Sequence, residues 1–383
     1  MPEGPEGRLY TQMKIKCEKS DLLNSVNIVL KAVAVKTTMP ILESLVIDAR
    51  DNQIKMIAND MELGIETKVK GSVLEAGMVA LNAKIFSEIV RKLPDNEVSI
   101  WTDDNYVTDI VCENAKFSIS GISGEEFPFL PEIEKENALE ISQFTLKEVI
   151  RQTVFSISDN ENNKIMTGEL FEVEDNVLRV VSLDGHRISI RKIPLKNEFE
   201  NIKVIIPGKT LNEISKILNG EASSIVKIYF TDKHALFEFD DTLVLTRLIE
   251  GEYYRIDQML SSDYESKISI NKNELARCIE RASLLIRETD KKPIIIEANS
   301  DNLQLSTNTA IGSMKEDIAI SLEGKDIIIG FNPKFLLDAL RVIDDETVDI
   351  YLINAKSPCF IRDKEESYIY LILPVNINVE VRE

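Results

Sequence analysis

Asn332-Pro333-Lys334-Phe335-Leu336-Leu337-Asp338-Ala339-Leu340-Arg341-Val342-Ile343 closes a β-rich run and opens a stretch whose apolar residues recur at helical spacing. The same opening stands 125 residues earlier as Pro207-Gly208-Lys209, and a further 125 earlier as Asn82-Ala83-Lys84. The register persists along the helices. Phe86, Leu211 and Leu336 share one position, and Leu93, Leu218 and Ile343 share another. Each helix is followed by an alternating strand pattern: Val98-Ser99-Ile100-Trp101, Val226-Lys227-Ile228-Tyr229 and Val348-Asp349-Ile350-Tyr351. Upstream, another strand recurs as Ile54-Lys55-Met56-Ile57, Leu178-Arg179-Val180-Val181 and Leu303-Gln304-Leu305-Ser306, displaced by 124 and then 125 residues. A second helical pattern starts each repeat, over residues 21–34, 145–156 and 272–286. Every unit therefore reads strand, helix, strands, helix, strands. A period this long describes three whole α+β domains rather than the short units of a solenoid.

The length agrees, since 383 residues exceed one ordinary core and suit two or three domains. Acidic and polar stretches at 132–137 and 260–266 read as linkers, which places the domains at 13–135, 136–262 and 263–383. The first twelve residues, MPEGPEGRLYTQ, have no periodicity and no signal-peptide pattern; they read as an expression leader, with Met13 as the natural start. Hydrophobic residues at 44% and charged residues at 29% describe a folded chain, and no apolar run approaches the ~20 residues needed to span a bilayer. No membrane partner is expected. Cys17, Cys112, Cys278 and Cys359 are scattered, and only His186 and His234 accompany them, so neither a metal site nor any cofactor is expected. Reduced cysteines imply a cytoplasmic protein.

A net charge of −20 argues against nucleic acid until the cations are located. The second helix of each repeat carries a basic pair seven residues apart: Lys84 with Arg91, Lys209 with Lys216, and Lys334 with Arg341. All three pairs obey the same offset, and each pair lies on one helical face. The first helices of repeats two and three add Lys147 with Arg151 and Arg277 with Arg281; repeat one offers only Lys31 and Lys36. A bland alternative stands beside this. Glu88, Glu213 and Asp338 repeat between the basic residues and are placed to form ordinary surface ion pairs worth ~0.3–0.5 kcal/mol each. Against it, helices kept positive within so acidic a chain segregate charge, so phosphates are attracted to one surface and repelled from the rest.

Geometry sets the number of chains. Six helices side by side, each ~10 Å across, enclose a lumen of only ~9 Å. That is narrower than the ~12 Å major groove alone. Twelve helices, from two chains, leave roughly 28 Å, enough for a duplex. A ring around DNA therefore requires a homodimer in which repeat one of each chain meets repeat three of the other.

Two motifs suggest catalysis and fail. Pro207-Gly208-Lys209-Thr210 looks like the end of a phosphate-binding loop, but Lys203 stands where the motif needs Gly. Asp184-Gly185-His186 has no nucleophile elbow beside it, and a strand-end turn explains Asp-Gly equally well. A nucleic-acid-modifying enzyme and a scaffold that never touches DNA are the rival readings.

The chain resembles the bacterial DNA polymerase III β subunits, the sliding clamps, from about Met13 to Ile377. The most specific stretches are Thr38-Met39-Pro40-Ile41-Leu42, Leu178 through Arg187 with its Asp-Gly-His-Arg end, Phe331-Asn332-Pro333, and Tyr370-Leu371-Ile372-Leu373-Pro374-Val375. The resemblance implies three domains of one fold, a head-to-tail ring dimer, and helices facing duplex DNA without sequence preference. It implies no catalysis. It further implies a cleft between the second and third domains that takes linear peptides from the replicative polymerase, the clamp loader and repair proteins. By motif position the cleft comprises Met166, Leu183, Gly185, His186, Arg187, Ile188, Met259, Phe335, Leu371, Ile372, Leu373, Pro374 and Val375, with His186 and Arg187 at its rim. Phe117 and Ile119 in repeat one, and Leu284 and Leu285 in repeat three, match the family's interface positions. Two departures stand out. Gly251-Glu252-Tyr253-Tyr254 replaces the common Gly-Arg-Phe-Pro, with Gln258 where Arg is frequent, and Asn378-Val379-Glu380-Val381-Arg382-Glu383 runs past the family's usual end.

Overall fold

The computed structural model describes residues 12–287 and 292–377. The leader up to Thr11 and the tail from Asn378 lie outside the described residues. Among the described residues there are six α-helices: α1 (Lys19–Val29), α2 (Ala83–Lys92), α3 (Gln143–Thr153), α4 (Gly208–Ile217), α5 (Lys272–Ser283) and α6 (Pro333–Val342). The second helices begin for local reasons. Asn82 caps α2 by accepting from the Ile85 N–H at 3.1 Å, and Asn332 caps α6 by accepting from Lys334 at 3.0 Å. Pro333 follows at the first helical position, where no N–H is missed. The repeated apolar register is buried as the spacing implies. Phe86 and Leu211 are 0% exposed and Leu336 is 1%, each contributing about 1.5–3 kcal/mol of transfer free energy.

The first helices are shorter than the 21–34, 145–156 and 272–286 expected from sequence. α1 stops at Val29 and α3 at Thr153, each passing into a 3-10 turn (Leu30–Ala32 and Val154–Ser156), while α5 stops at Ser283. Tightening the last turn gives the terminal carbonyls i→i+3 donors, which apolar periodicity does not reveal.

The chain forms two compact units whose limits cut through the middle repeat. One holds the described residues up to Phe144 together with Lys216–Leu248; the other holds Thr145–Ser215 and the described residues from Ile249. The reason is strand pairing. In the first unit, Thr242–Arg247 of repeat two pairs antiparallel with Leu63–Val69 of repeat one, so one nine-stranded sheet runs across the repeat boundary. A five-stranded sheet completes that unit, with Ala115–Ser120 at its edge. In the second unit, Arg187–Pro194 of repeat two pairs antiparallel with Tyr368–Ile372 of repeat three, again within a nine-stranded sheet. A four-stranded sheet ends in Ser313–Ala319. Helices α1 and α2 pack together in the first unit, and α5 and α6 in the second.

Candidate nucleic-acid interface and partner cleft

Strands Val177–Leu183 and Arg187–Pro194 are joined by Asp184-Gly185-His186. Oδ1 of Asp184 accepts from the backbone N–H of His186 at 2.9 Å and of Arg187 at 3.1 Å, closing an Asx turn. Gly185 sits at φ +89°, so a side chain there is strained although a Cβ meets open space. The second carboxylate oxygen takes Nε of Arg187 at 2.9 Å. Asp184 is thus consumed by turn and ion pair and has no free role as a general base.

Leu183, Ile188, Leu371 and Phe360 stand in register across four neighbouring strands. They belong to one buried cluster with Tyr253, Ile256 and Tyr351, against which Met166 and Leu260 are partly buried. Met259 and Leu373 project outward from this region at 57% and 38% exposure. The Leu373 N–H donates to the His186 carbonyl at 2.9 Å, fixing the end of the last strand against the turn. Val375 is tied to the Gly330 carbonyl at 2.8 Å, with Pro374 half-buried between them. Ile372 points the other way, into the core that contains Leu336 and Ile343, because successive strand residues alternate faces. Phe335 packs on that same core from α6.

His186 is exposed, its ring 5.9 Å from that of Phe335. Arg187 is not at the rim, as the sequence reading expected, but 7% exposed. Its guanidinium donates to Asp184, to Asp338 at 2.7 Å and to the Phe155 carbonyl at 2.5 Å, and lies 4.6 Å from the Phe335 ring centroid. A cation this dry must be fully paired, and here it is. Asp338 is correspondingly the partner of Arg187 rather than of its helix neighbours Lys334 and Arg341. Sequence reading also missed the contribution of Tyr253 and Tyr254. The Tyr253 hydroxyl donates to the Val181 carbonyl at 3.2 Å with its ring in the cluster, and the Tyr254 hydroxyl accepts from Nδ2 of Asn163 at 2.7 Å. Their signal was the departure at 251–254.

Among the basic candidates, Lys36, Lys84, Arg91, Lys209, Lys216, Arg277, Arg281, Lys334 and Arg341 are exposed, while Lys147 and Arg151 are half-buried. Several guanidiniums are engaged: Arg151 with Glu148 at 2.5 Å and Asp344 at 3.2 Å, Arg281 with Glu316, and Arg341 with Glu280 at 3.1 Å. Arg91 donates to Asn27 of α1 at 3.4 Å. Lys36, Lys84, Arg277 and Lys334 form no ion pair among the described residues. Exposed pairs of this kind contribute ~0–1 kcal/mol, so a phosphate can replace the carboxylate at little cost. Phe117 on the edge strand Ala115–Ser120 is 38% exposed with Ile119 half-buried, and just past the end of α5 Leu284 is 83% exposed with Leu285 half-buried.

All four cysteines are buried free thiols, and burial pushes Cys17 and Cys278 up to about 12, so they stay protonated. Among the described residues no group of three or more His, Cys, Asp or Glu side chains is placed to hold a metal, and no helix is long and apolar enough to cross a membrane.

Family models of the DNA polymerase III beta subunit match the N-terminal domain over 13–131, the central domain over 140–254 and the C-terminal domain over 257–376. The beta sliding clamp of Staphylococcus epidermidis is 33% identical over 374 residues, covering 95% of this chain and 99% of that protein. The crystal structure of a putative DNA polymerase III beta subunit from Eubacterium rectale is 62% identical and superposes with a TM-score of 0.93, covering 96% of this chain and all of that one. That of the Bacillus subtilis DNA polymerase sliding clamp is 35% identical with a TM-score of 0.92, again over 96% of this chain and all of the other. With three domains in the same order and sheets that run through their boundaries, the chain belongs to the bacterial DNA polymerase III beta subunit family, the sliding clamps.

Proposed function

We propose that two copies of this clamp close head to tail around duplex DNA, with Lys36, Lys84, Arg91, Lys147, Arg151, Lys209, Lys216, Arg277, Arg281, Lys334 and Arg341 facing the phosphates. The clamp is a non-catalytic subunit that holds the polymerase on its template. One observation carries the ring reading: the strands Ala115–Ser120 and Ser313–Ala319 are largely exposed sheet edges in the first and third repeats. Unpaired edges of this length invite strand addition, and a second copy supplies the matching edge at both ends. Phe117, Ile119, Leu284 and Leu285 flank that joint.

Partners dock by linear peptides on Met166, Leu183, Ile188, Met259, Leu371 and Leu373, where branched and thioether side chains adapt to apolar anchors. Gly185, His186, Pro374 and Val375 border the cleft, and Arg187, Phe335 and Ile372 support it from behind. Four scattered cysteines, all free thiols, support a cytoplasmic location for this work.

Retention separates this reading from its rivals. Clamp loaded on nicked circular DNA stays bound and leaves when the circle is cut, while binding to short linear duplex is weak and falls steeply with salt. Equal retention on linear and circular DNA would overturn it.

A further inference from the structure

Met259 stands at the outer edge of the cleft with more than half its surface in solvent, so its own packing does not fix its position. It ends a single 3-10 turn, Asp257–Met259, and is followed by a segment with no strand or helix up to Ser266. Leu260 is partly buried against the cleft cluster, and contacts from outside the segment hold the rest. On the near side Ile256 is buried in the cleft cluster, and Arg179 binds Asp257 at 2.8 Å. On the far side a residue of the third repeat takes over. Nη2 of Arg362 donates to the Ser262 carbonyl at 3.0 Å, and Nη1 reaches the Ser261 carbonyl at 3.5 Å. Nη1 also pairs with Glu366 at 2.8 Å, and the guanidinium lies 4.7 Å from the Tyr351 ring centroid. Tyr351 is itself a member of the cluster beneath Leu183, Ile188 and Leu371, and its ring meets that of Tyr264 edge-on at 5.2 Å.

We propose that Arg362 is a positioning residue for the partner cleft: it anchors the 260–264 segment to the cleft floor and thereby sets where Met259 stands. The inference rests on the cleft reading above. Arginine suits the task for a physical reason. One planar fork donates to two successive carbonyls while its face lies on an aromatic ring and its side chain is 10% exposed, whereas lysine offers a point charge with no such fork. Glu366 neutralises the cation without touching the segment, so charge balance and anchoring are separable. Tyr351 links the anchor to the floor, so floor and movable wall share one reference frame.

The test titrates a fluorescent peptide bearing Leu and Phe anchors against full-length wild type, Met259→Ala, Arg362→Ala, Arg362→Lys and the Arg362→Ala/Met259→Ala double variant, with thermal unfolding and dimer mass followed for each. Met259→Ala weakens binding about five- to thirty-fold, as for a buried interface anchor. Arg362→Ala weakens it to a similar degree, and Arg362→Lys, which keeps the charge opposite Glu366, does not restore it. In the double variant the second change adds nothing, because an anchor without its wall has no further effect on the peptide. Full additivity would mean that Arg362 acts elsewhere and overturns the proposal, as would wild-type affinity in Arg362→Ala. If Arg362→Ala does not fold, Arg362→Lys alone decides: wild-type affinity refutes the anchoring role. An unchanged affinity in Met259→Ala instead removes the cleft reading itself.

Discussion

Nη1 of Arg187 lies 2.7 Å from Oδ2 of Asp338, joining the Asp-Gly-His-Arg turn of the second repeat to helix α6 of the third, across 151 positions of sequence. Arg187 is buried and Asp338 half-buried, with side-chain exposures of 7% and 18%. Removing Asp338 strips Nη1 of its acceptor while Asp184 still balances the charge, a loss of about 1–3 kcal/mol. Asp338→Ala is therefore expected to lower stability by that order in urea unfolding, while Glu88→Ala, its exposed counterpart in α2, shifts it little. Equal effects would mean that the pair is not the strut described here.

Glu169 is the second test. Its carboxylate is fully buried on the strand Gly168–Glu174, and neither oxygen has a hydrogen-bond partner in the protein. Burial raises its pKa well above the usual carboxylate value of 4.5. The folded state therefore holds a proton that the unfolded chain releases. The stability attached to that proton is complete below the unfolded pKa and is lost as pH rises through the folded one, at about 1.4 kcal/mol per pH unit within the window. Glu169→Gln keeps the shape and removes the titration. Its melting temperature relative to wild type should climb as pH is raised above 4.5; a constant difference would show that Glu169 does not titrate as described.

Neighbouring residues at the end of the last strand should separate two roles. Leu373→Ala weakens peptide binding by about 1–2 kcal/mol and leaves the fold alone, since Leu373 is 38% exposed. Ile372→Ala, at 1% exposure in the core beneath α6, instead destabilises the protein by about 2–5 kcal/mol. Calorimetric titration and urea unfolding on the same two variants check this.

In the proposed ring the joint between copies rests on Leu284 and Leu285. Light scattering at micromolar concentration should give a dimer for the wild type and a monomer for Leu284→Ala/Leu285→Ala, with the melting of each chain little changed because Leu284 is 83% exposed. A double variant that stays dimeric moves the joint to other residues.

The threefold architecture was legible because it is written in periodicity. Phe86, Leu211 and Leu336 keep both their spacing and their burial, and Asn82 and Asn332 announce their helices by a capping chemistry that needs no tertiary context. The candidate cleft was less legible. Tyr368–Ile372 is buried along its whole length, so its sequence carries no alternation to say that Leu371 faces the cleft cluster and Ile372 the other core. Arg187 reads as a surface cation until Asp338 and Phe335 arrive from far along the chain. Glu169 likewise reads as a solvent-facing strand residue, and only the packing shows that it is sealed in.

The pairing of Arg187–Pro194 with Tyr368–Ile372 has a mechanical consequence. A boundary between repeats that is crossed by backbone hydrogen bonds is a zipper, not a hinge: it resists bending until several bonds are broken together, and then it yields cooperatively. The boundary between Leu63–Val69 and Thr242–Arg247 is built the same way. Amide protons on these four strands should therefore exchange with solvent as slowly as those at the centre of any repeat, and strain placed on a closed ring will be released at the seams between copies before it is released within one.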